Sequence, residues 1–269
     1  AHLIVEAYEP TRGRSATVAQ RASDPVVVVG LGARVGDGAS AADLERALFE
    51  RRPLGRAKGV KIPLTALRFP PADLAKARPA QTQLLAAAIE AAGDLALPSE
   101  TTGVYVGYGC DPEIARWGAR WRARAFAEAL GADEAWAREA ADALVAPLEA
   151  PHVVGALPNI PANRLSSQFD LRGPSHAVMA EELSGVRALE LAVRALARGD
   201  IDAALVGAVD LADEPVHRAA SGDGGGADAA VVLALVRRPD PGRDRRPIFA
   251  EVAPAGEPPG GDPVAAGPA

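Results

Sequence analysis

Two adjacent carboxylates stand where the sequence predicts a sharp turn from a strand into a long helix. Residues 175–180 have the pattern of a strand, and the segment from Leu183 onward has the apolar spacing of a helix. A nucleophile is expected at such a turn. The sequence offers Glu182 there, flanked by Glu181 and Ser184, and it offers no thiol. The pattern therefore predicts a catalytic architecture without its catalytic thiol.

The two carboxylates also have a simpler interpretation. Acidic side chains at the start of a helix interact favourably with the helix dipole, by about 0.3–1 kcal/mol each. The preceding strand is predicted to be buried, however, and a buried carboxylate needs hydrogen-bond partners. Backbone donors at the helix start could supply them. Ser184 and Gly185 are small enough for the helix to approach a neighbouring backbone closely.

The single cysteine and the four histidines do not predict a catalytic thiol or a metal site. Cys110 is followed by Asp111, whose charge disfavours a thiolate, and no motif ties a histidine to it, so a structural cysteine is predicted. His176 lies close to the turn and is interpreted as a hydrogen-bonded packing residue. No metal site is predicted because no ligand cluster is formed by His2, His152, His176 and His217.

A glycine-rich segment, residues 30–36, follows a predicted strand and invites a dinucleotide-binding interpretation. That fingerprint needs its third glycine where Val35 stands. It also needs an acidic residue at the end of a strand about 20 residues on, where Arg51 and Arg52 stand instead. Close packing of a turn is the favoured explanation for the glycines, so no cofactor-binding residue is predicted.

The composition excludes several classes of partner. The chain has 269 residues, a net charge of −6 and a pI near 5.4, which argues against a nucleic-acid surface and against anionic membranes. No apolar run reaches the length of about 20 residues that a membrane span needs. With one cysteine, no internal disulfide can form, so a reducing compartment and a cytoplasmic location are predicted.

Buried apolar runs alternate with helical patterns along the chain, which predicts an α/β layered sheet. The predicted strands cover residues 26–30, 102–107, 175–180, 203–209 and 229–236, and residues 248–252 are a candidate sixth. The predicted helices are one capped by Ser40 and three at residues 79–97, 111–148 and 183–198. Residues 51–71 are basic and broken by prolines, and they are interpreted as a surface loop.

Apolar side chains in three helices recur at helical spacing. In the helix after Ser40 the stripe is Leu44, Leu48 and Phe49, and in residues 183–198 it is Leu183, Val186, Leu189, Val193 and Leu196. In residues 111–148 the recurring side chains are Trp117, Trp121, Phe126, Leu130, Trp136 and Leu144. For this third set, packing between helices is the favoured interpretation. An interface with a partner subunit is the alternative, because aromatic residues and arginine are enriched in interfaces.

Several motifs, in their usual order, resemble the β-ketoacyl synthases of the thiolase-like superfamily. The resemblance covers roughly residues 24–252 and implies the N-terminal half of a thiolase-like layered fold, with a mixed five-stranded sheet flanked by helices. The segments that carry it are residues 24–32 (opening strand and turn), 163–166 (N-R-I-S), 171–175 (L-x-G-P-S), 202–209 (A-L-V-G-G) and 226–233 (a worn G-E-G-A).

The resemblance also implies a domain organisation. Residues 1–6 resemble the strand that ends a ketosynthase, so residues 1–23 are expected to be the tail strand of an upstream ketosynthase plus a linker. Residues 24–253 are expected to be the ketosynthase-like N-terminal domain. Residues 254–269, a Pro/Gly/Ala tail, are expected to be disordered. The sequences of residues 107–121 and 158–182 are most similar to those of polyunsaturated fatty acid synthases, and next most similar to those of related polyketide synthases.

One departure from the family decides the expected function. Aligned on Gly173 and Pro174, the acyl-accepting cysteine of the family falls on Glu182. Non-catalytic partner subunits, called chain-length factors, carry A-E-Q-x-G-G here, and residues 180–185 are closer to that sequence than to the active form. A carboxylate accepts an acyl group poorly, cannot donate a hydrogen bond and repels a malonyl carboxylate. No catalytic residue is therefore expected.

The resemblance then implies a degenerate ketosynthase of chain-length-factor type that pairs with an active ketosynthase. The sheet region and the loop at residues 158–171 are expected near the pairing surface. Acyl groups are expected on the phosphopantetheine arm of an acyl carrier protein. The second half of the family fold, with its two histidine motifs, is absent from these residues, so the chain is expected to be a fragment or a cut piece. Two alternatives stay open: a malonyl decarboxylase that uses Glu182, and a structural module that binds no acyl chain.

Overall fold

The computed structural model describes residues 24–57, 59–109, 114–212, 215–221, 227–238 and 247–252. The tail strand and linker expected in residues 1–23, the tail expected at residues 254–269 and Cys110 lie outside these residues. The strands are β1 (Val26–Val35), β2 (Thr102–Tyr108), β3 (Ser175–Val178), β4 (Ala203–Leu211), β5 (Asp228–Arg237) and β6 (Ala250–Val252). The helices are α1 (Ala41–Glu50), α2 (Pro71–Ala75), α3 (Pro79–Ala92), α4 (Ala115–Leu130), α5 (Glu134–Leu144), α6 (Ala150–Ala156), α7 (Ile160–Phe169), α8 (Ser184–Arg198) and α9 (Pro215–Ser221).

The strands form one mixed sheet in the order β3-β2-β4-β5-β1-β6. β2 runs parallel to both β3 and β4, whereas β4–β5, β5–β1 and β1–β6 are antiparallel pairs. The mixed α/β class is therefore confirmed. The expected number of five strands is wrong for the described residues, because the candidate sixth strand pairs with β1. β3 lies at one edge of this sheet, with β2 as its only neighbour among the described strands.

Helices cover both faces of the sheet. The alternation of side chains along each strand shows which helix packs on which face. Val104 and Val106 of β2 belong to the core that contains Leu84 and Leu85 of α3. Tyr105, between those two valines, belongs to the core formed with α8. Because successive strand residues point to opposite faces, α3 and α8 lie on opposite sides of β2.

The glycines at the end of the first predicted strand lie inside a strand, not in a turn. β1 continues through them to Val35, so the strand–turn–helix context of a dinucleotide fingerprint is missing. A Cβ atom at Gly30 would lie 2.0 Å from the carbonyl oxygen of Ala91, and one at Gly32 would lie 1.9 Å from that of Ala87. The close-packing explanation is confirmed, but the packing is that of α3 against β1.

Two helices differ from the sequence-based expectation. Ser40 caps α1 as predicted, since its hydroxyl accepts a hydrogen bond from the N–H of Asp43 at 3.2 Å. The prediction of the buried face of α1 is wrong, because Leu48 and Phe49 are 69% and 83% exposed and the helix buries Ala47 instead. Most of the loop expected at residues 158–171 is α7, which tolerates its proline because that residue stands in the first helical turn.

The stripe predicted for α8 is also only partly buried. The helix presents small side chains to the sheet, with Ser184, Ala188, Ala192 and Leu196 buried at intervals of four residues. Leu183 and Val186 are 52% and 53% exposed. The row of small residues lets the helix lie close to the sheet, and it turns these two larger side chains away from the core.

The predicted helical region at residues 111–148 contains a hairpin of two helices, α4 and α5, with Gly131 ending the first of them. Trp117 is buried, and its indole N–H donates to the carbonyl oxygen of Ala146 at 3.2 Å. Packing between helices is therefore confirmed for Trp117. The prediction of packing between helices is wrong for Trp121, which is 70% exposed.

Among the described helices, none combines the length and apolar character that crossing a membrane requires.

Candidate functional site

The turn between β3 and α8, called here the elbow (residues 179–184), has a strained backbone. The chain leaves β3 at Val178 and forms a short 3-10 turn at Glu181–Leu183 before α8 begins. Glu181 has φ 51°, in the left-handed region that side chains other than glycine rarely adopt. Such a conformation costs roughly 1–2 kcal/mol, so surrounding contacts must hold it. The predicted strand-to-helix turn is present, with Glu182 one residue beyond the strained position.

Ser184 provides the local contacts that hold the elbow. Its hydroxyl oxygen accepts a hydrogen bond from the N–H of Ala180 at 2.9 Å and donates one to the carbonyl oxygen of Glu181 at 2.6 Å. The side chain is buried, so these bonds are shielded from water. The hydroxyl therefore joins the residues on both sides of the positive φ. Sequence reasoning named Ser184 only as a small residue beside the carboxylates and missed this role.

Glycines allow the first turn of α8 to lie directly against the sheet. A Cβ atom at Gly107 of β2 would lie 2.4 Å from the backbone nitrogen of Gly185. A Cβ atom at Gly185 would lie 2.7 Å from the Cβ of Ala208 in β4. The close approach predicted for Ser184 and Gly185 is confirmed, and it places the elbow over β2 and β4.

The two carboxylates at the elbow are exposed. In the part of the chain that the structure describes, neither Glu181 nor Glu182 forms a side-chain hydrogen bond or an ion pair. The expectation that backbone donors would satisfy buried carboxylates is wrong. Its premise fails because β3 is an edge strand and is only partly buried. The exposed pair can attract cations and repel anions at the elbow.

Loss of the Ser184 hydroxyl should loosen the elbow. We expect Ser184→Ala to lower the free energy of unfolding by about 1–3 kcal/mol, because it leaves the N–H of Ala180 without its bond. Amide hydrogen exchange at Ala180 and Glu181 should speed up as well. Ser166→Ala, which removes another half-buried hydroxyl, is the matched control and should leave exchange at the elbow unchanged.

The signature segment before β3 is a structural brace. Arg164 of α7 is buried, and its Nε donates to Oε1 of the buried Gln81 at 3.3 Å while the guanidinium lies 4.9 Å from the ring centre of Phe69. Burial lowers the pKa of Arg164 from its ordinary value. Gln81 also donates from Nε2 to the carbonyl oxygen of Gly155 at 2.7 Å. These contacts tie α7 to α3 and α6. The signature's spacing was the sequence signal for this segment, but it did not predict Gln81.

The start of β3 is tied to α7 by small polar side chains. The hydroxyl oxygens of Ser166 and Ser175 lie 3.2 Å apart, and that of Ser175 donates to Oδ1 of Asn163 at 3.4 Å. On the other face of the sheet, the ring of His176 lies 5.5 Å from that of Tyr105 on the neighbouring strand. Burial raises the pKa of Tyr105. His176 is exposed, and its ring packs against that of Tyr105. The predicted packing of His176 is therefore confirmed, but its predicted hydrogen bond is not.

The other sequence candidates do not gather at the elbow. Nδ1 of His152 accepts from the N–H of Glu149 at 3.1 Å and caps α6. Nδ1 of His217 lies 3.6 Å from a carboxyl oxygen of Asp210. The described residues contain no group of three side chains that could hold a metal ion. His2 and Cys110 lie outside the described residues, so their predicted roles stay predictions.

Comparison with known families identifies the fold. The family model described as "Beta-ketoacyl synthase, N-terminal domain" matches residues 63–229, a span that includes α3, the elbow and α8. The chain belongs to the β-ketoacyl synthase family. The motif resemblance in the sequence is thereby confirmed at the level of the family. The ketosynthase signature segments at residues 163–175 are the ones that the structure shows bracing α7 and β3.

Curated relatives are large synthases of which this ketosynthase-like chain spans a small part. "Highly reducing polyketide synthase PKS2" of Leptosphaeria maculans is 32% identical over 205 aligned positions, and the alignment covers 66% of this chain and 7% of that protein. "Cyclo-acetoacetyl-L-tryptophan synthase" of Aspergillus oryzae is 45% identical over 64 residues, which are 24% of this chain and 2% of that protein.

Solved ketosynthases share the fold at low identity. A structure titled "PfaC Keto synthase-Chain length factor" superposes with a TM-score of 0.66 at 18% identity, covering 83% of this chain and 30% of that one. "The ishigamide ketosynthase/chain length factor" gives a TM-score of 0.59 at 17% identity, covering 85% of this chain and 65% of that one. These similarities establish the thiolase-like ketosynthase architecture of the sheet and its flanking helices.

Proposed function

We propose that this chain is a degenerate ketosynthase domain of chain-length-factor type, which accepts no acyl group and pairs with an active ketosynthase. The observation that carries the proposal is the side chain at the elbow. The alignment on Gly173 and Pro174 puts the family's acyl-accepting cysteine at Glu182, one residue beyond the strained φ of Glu181. In this proposal residues 24–253 are the ketosynthase-like domain. The two chain-length-factor structures of similar fold are consistent with it.

The chemistry of Glu182 supports an inactive site. An acyl group on a carboxylate would be an anhydride, which water cleaves far more readily than a thioester. Two exposed carboxylates at the elbow disfavour the approach of a malonyl carboxylate, since like charges repel. A carboxylate also offers no hydrogen-bond donor to a developing enolate oxygen. Binding of the malonyl unit and stabilisation of the enolate formed from it are therefore both weakened.

The edge of the sheet supports pairing with another ketosynthase. β3 has β2 on one side, and its other side presents backbone donors and acceptors that a partner strand can bond. Next to it, Met179, Leu183 and Val186 are 59%, 52% and 53% exposed. A strand edge beside an apolar patch is typical of a protein interface. In this proposal the active ketosynthase covers the elbow, and the acyl cavity of that ketosynthase extends against the elbow.

The acyl chain in this proposal arrives on the phosphopantetheine arm of an acyl carrier protein. A similar fold occurs in a structure titled "type II PKS acyl-carrier protein in complex with its ketosynthase bound to the hexaketide", at a TM-score of 0.55 and 17% identity. The class of product, polyketide or polyunsaturated fatty acid, is part of the proposal. The curated relatives that are named polyketide synthases favour the polyketide class.

An activity assay tests the inactive site. We expect the purified chain to neither condense acyl- and malonyl-carrier substrates nor decarboxylate malonyl-carrier protein, and Glu182→Cys should not restore condensation. The measurement is mass spectrometry of the carrier-bound products, with Glu182→Ala as the matched control. Condensation by the wild type or by Glu182→Cys would overturn the proposal. Decarboxylation that is lost in Glu182→Ala would establish the decarboxylase instead.

A co-purification assay tests the pairing. The chain should elute together with an active ketosynthase of its own synthase, and Met179→Asp combined with Leu183→Asp should abolish that elution. Leu48→Asp, which charges a leucine on α1 that is more exposed than either of these residues, is the control and should leave the complex intact. Separate elution of the wild-type proteins, or equal loss in the control, contradicts pairing through β3.

A further inference from the structure

The hairpin of α4 and α5 has one side closed by ion pairs. Arg120 pairs with Asp142 at 2.8 Å, and Arg124 pairs with Glu134 at 3.0 Å. Arg120 also donates to the carbonyl oxygens of two residues at the end of α5. The two helices are therefore antiparallel, with the first half of α4 beside the end of α5. The arginines on this side of the hairpin therefore find their partners within the chain itself.

The other side of the hairpin is an open apolar groove of about 410 Å³. It is lined by four alanines and three larger apolar residues, namely Ala119, Ala123, Ala140, Ala143, Phe126, Trp136 and Leu144. Phe126 is 45% exposed and Trp136 is 40% exposed. A shallow apolar groove between two helices has the shape that accepts the ridge of another helix.

A charge of opposite sign lies on each rim of the groove. Arg122 is three residues after Ala119 and four before Phe126, so it lies beside the groove on α4. Glu139 has the same relation to Trp136 and Ala143 on α5. Both are exposed, and within the described residues neither forms an ion pair. Since residue 120 is opposite residue 142, the two rim charges lie within about one helical turn of the same height.

We infer that the groove is a self-association surface, in which the hairpin of a second copy of this chain packs face to face to form a four-helix bundle. A two-fold axis parallel to the helices exchanges the two rims. It therefore places Arg122 of each copy against Glu139 of the other, and it buries Phe126 and Trp136 of both. The rim charges suit a second copy because they are complementary to themselves under this rotation. This surface is distinct from the β3 edge, which is proposed to pair with the active ketosynthase.

A charge-exchange experiment tests the inference on the full chain without any ketosynthase partner. Sedimentation velocity should show a dimer for the wild type. Arg122→Glu and Glu139→Arg should each weaken dimerisation at least tenfold, and the double variant should restore it. Ala143→Glu, which puts a charge into the groove and leaves the rims intact, should also give a monomer. Circular dichroism confirms that each variant is folded.

The control is Arg46→Glu, which reverses an exposed arginine on α1 and should leave the dimer unchanged. A monomeric wild type overturns the inference. A dimer that persists in both single reversals also overturns it, as does a double variant that stays monomeric. Loss of the dimer in Met179→Asp with Leu183→Asp, but not in the groove variants, would assign self-association to β3 instead. Only this last outcome bears on the co-purification with a ketosynthase, because it would place a second copy of this chain on the same β3 edge.

Discussion

Gly107→Ala should lower the free energy of unfolding by about 3 kcal/mol, because the added methyl group has no space between β2 and α8. Its Cβ would lie 2.4 Å from the backbone nitrogen of Gly185 and 2.5 Å from the carbonyl carbon of Ser184. Those neighbours are backbone atoms of a helix start, so they cannot move aside as a flexible side chain would. Urea denaturation followed by circular dichroism measures the loss.

The elbow should report the same substitution. Moving the start of α8 away from β2 changes the position of Ser184, whose hydroxyl holds Ala180 and Glu181. Amide exchange at Ala180 should therefore speed up in Gly107→Ala. Gly109→Ala is the matched control, since a Cβ there meets nothing within 4 Å, and we expect its stability to change by less than about 0.5 kcal/mol. Equal stability of the two variants would contradict the close approach.

Arg164→Ala should destabilise the chain by about 2–3 kcal/mol, through loss of packing against Phe69 and of the hydrogen bond to Gln81. The buried Oε1 of Gln81 loses this donor in the variant. Arg164→Lys should recover little, because an ammonium cannot stack on a ring as a planar guanidinium does. The change in denaturant midpoint at constant slope is the measurement.

The control for Arg164 is another arginine that pairs at the surface. Arg172 lies 2.9 Å from Glu100, and both side chains are largely exposed. Exposed pairs contribute about 0–1 kcal/mol, so Arg172→Ala should have a much smaller effect than Arg164→Ala. If the two variants lose the same stability, the bracing of α7 against α3 does not contribute to stability as described.

The strands were predictable from the sequence because each is a short apolar run between turn residues. All five predicted strands and the candidate sixth are present. The end of β1 was missed because Gly30 and Gly32 resemble a turn when only their neighbours in sequence are considered. Their function is set by Ala87 and Ala91 of α3, more than fifty residues away along the chain. α7 was expected to be a loop, but its proline, Pro161, stands in the first helical turn, where a proline is compatible with a helix.

The elbow was predictable in position but not in environment. The change from strand to helix pattern located it, and the small residues after it indicated close packing. The exposure of Glu181 and Glu182 depends on the order of strands in the sheet, which is set by long-range pairing and leaves β3 at an edge. The pattern of the α8 stripe placed Leu183 and Val186 toward the core, because periodicity alone does not distinguish a wide apolar face from a narrow row of alanines.

The bend at Glu181 is maintained by the hydroxyl of Ser184 and by the two glycines that bring α8 onto the sheet. None of these contacts involves the side chain of Glu182. One codon can therefore change what is presented there while the scaffold stays intact. Reactive and silent versions of such a domain are then separated by a short mutational path, and a duplicated copy can lose its chemistry and still keep the surfaces by which it assembles.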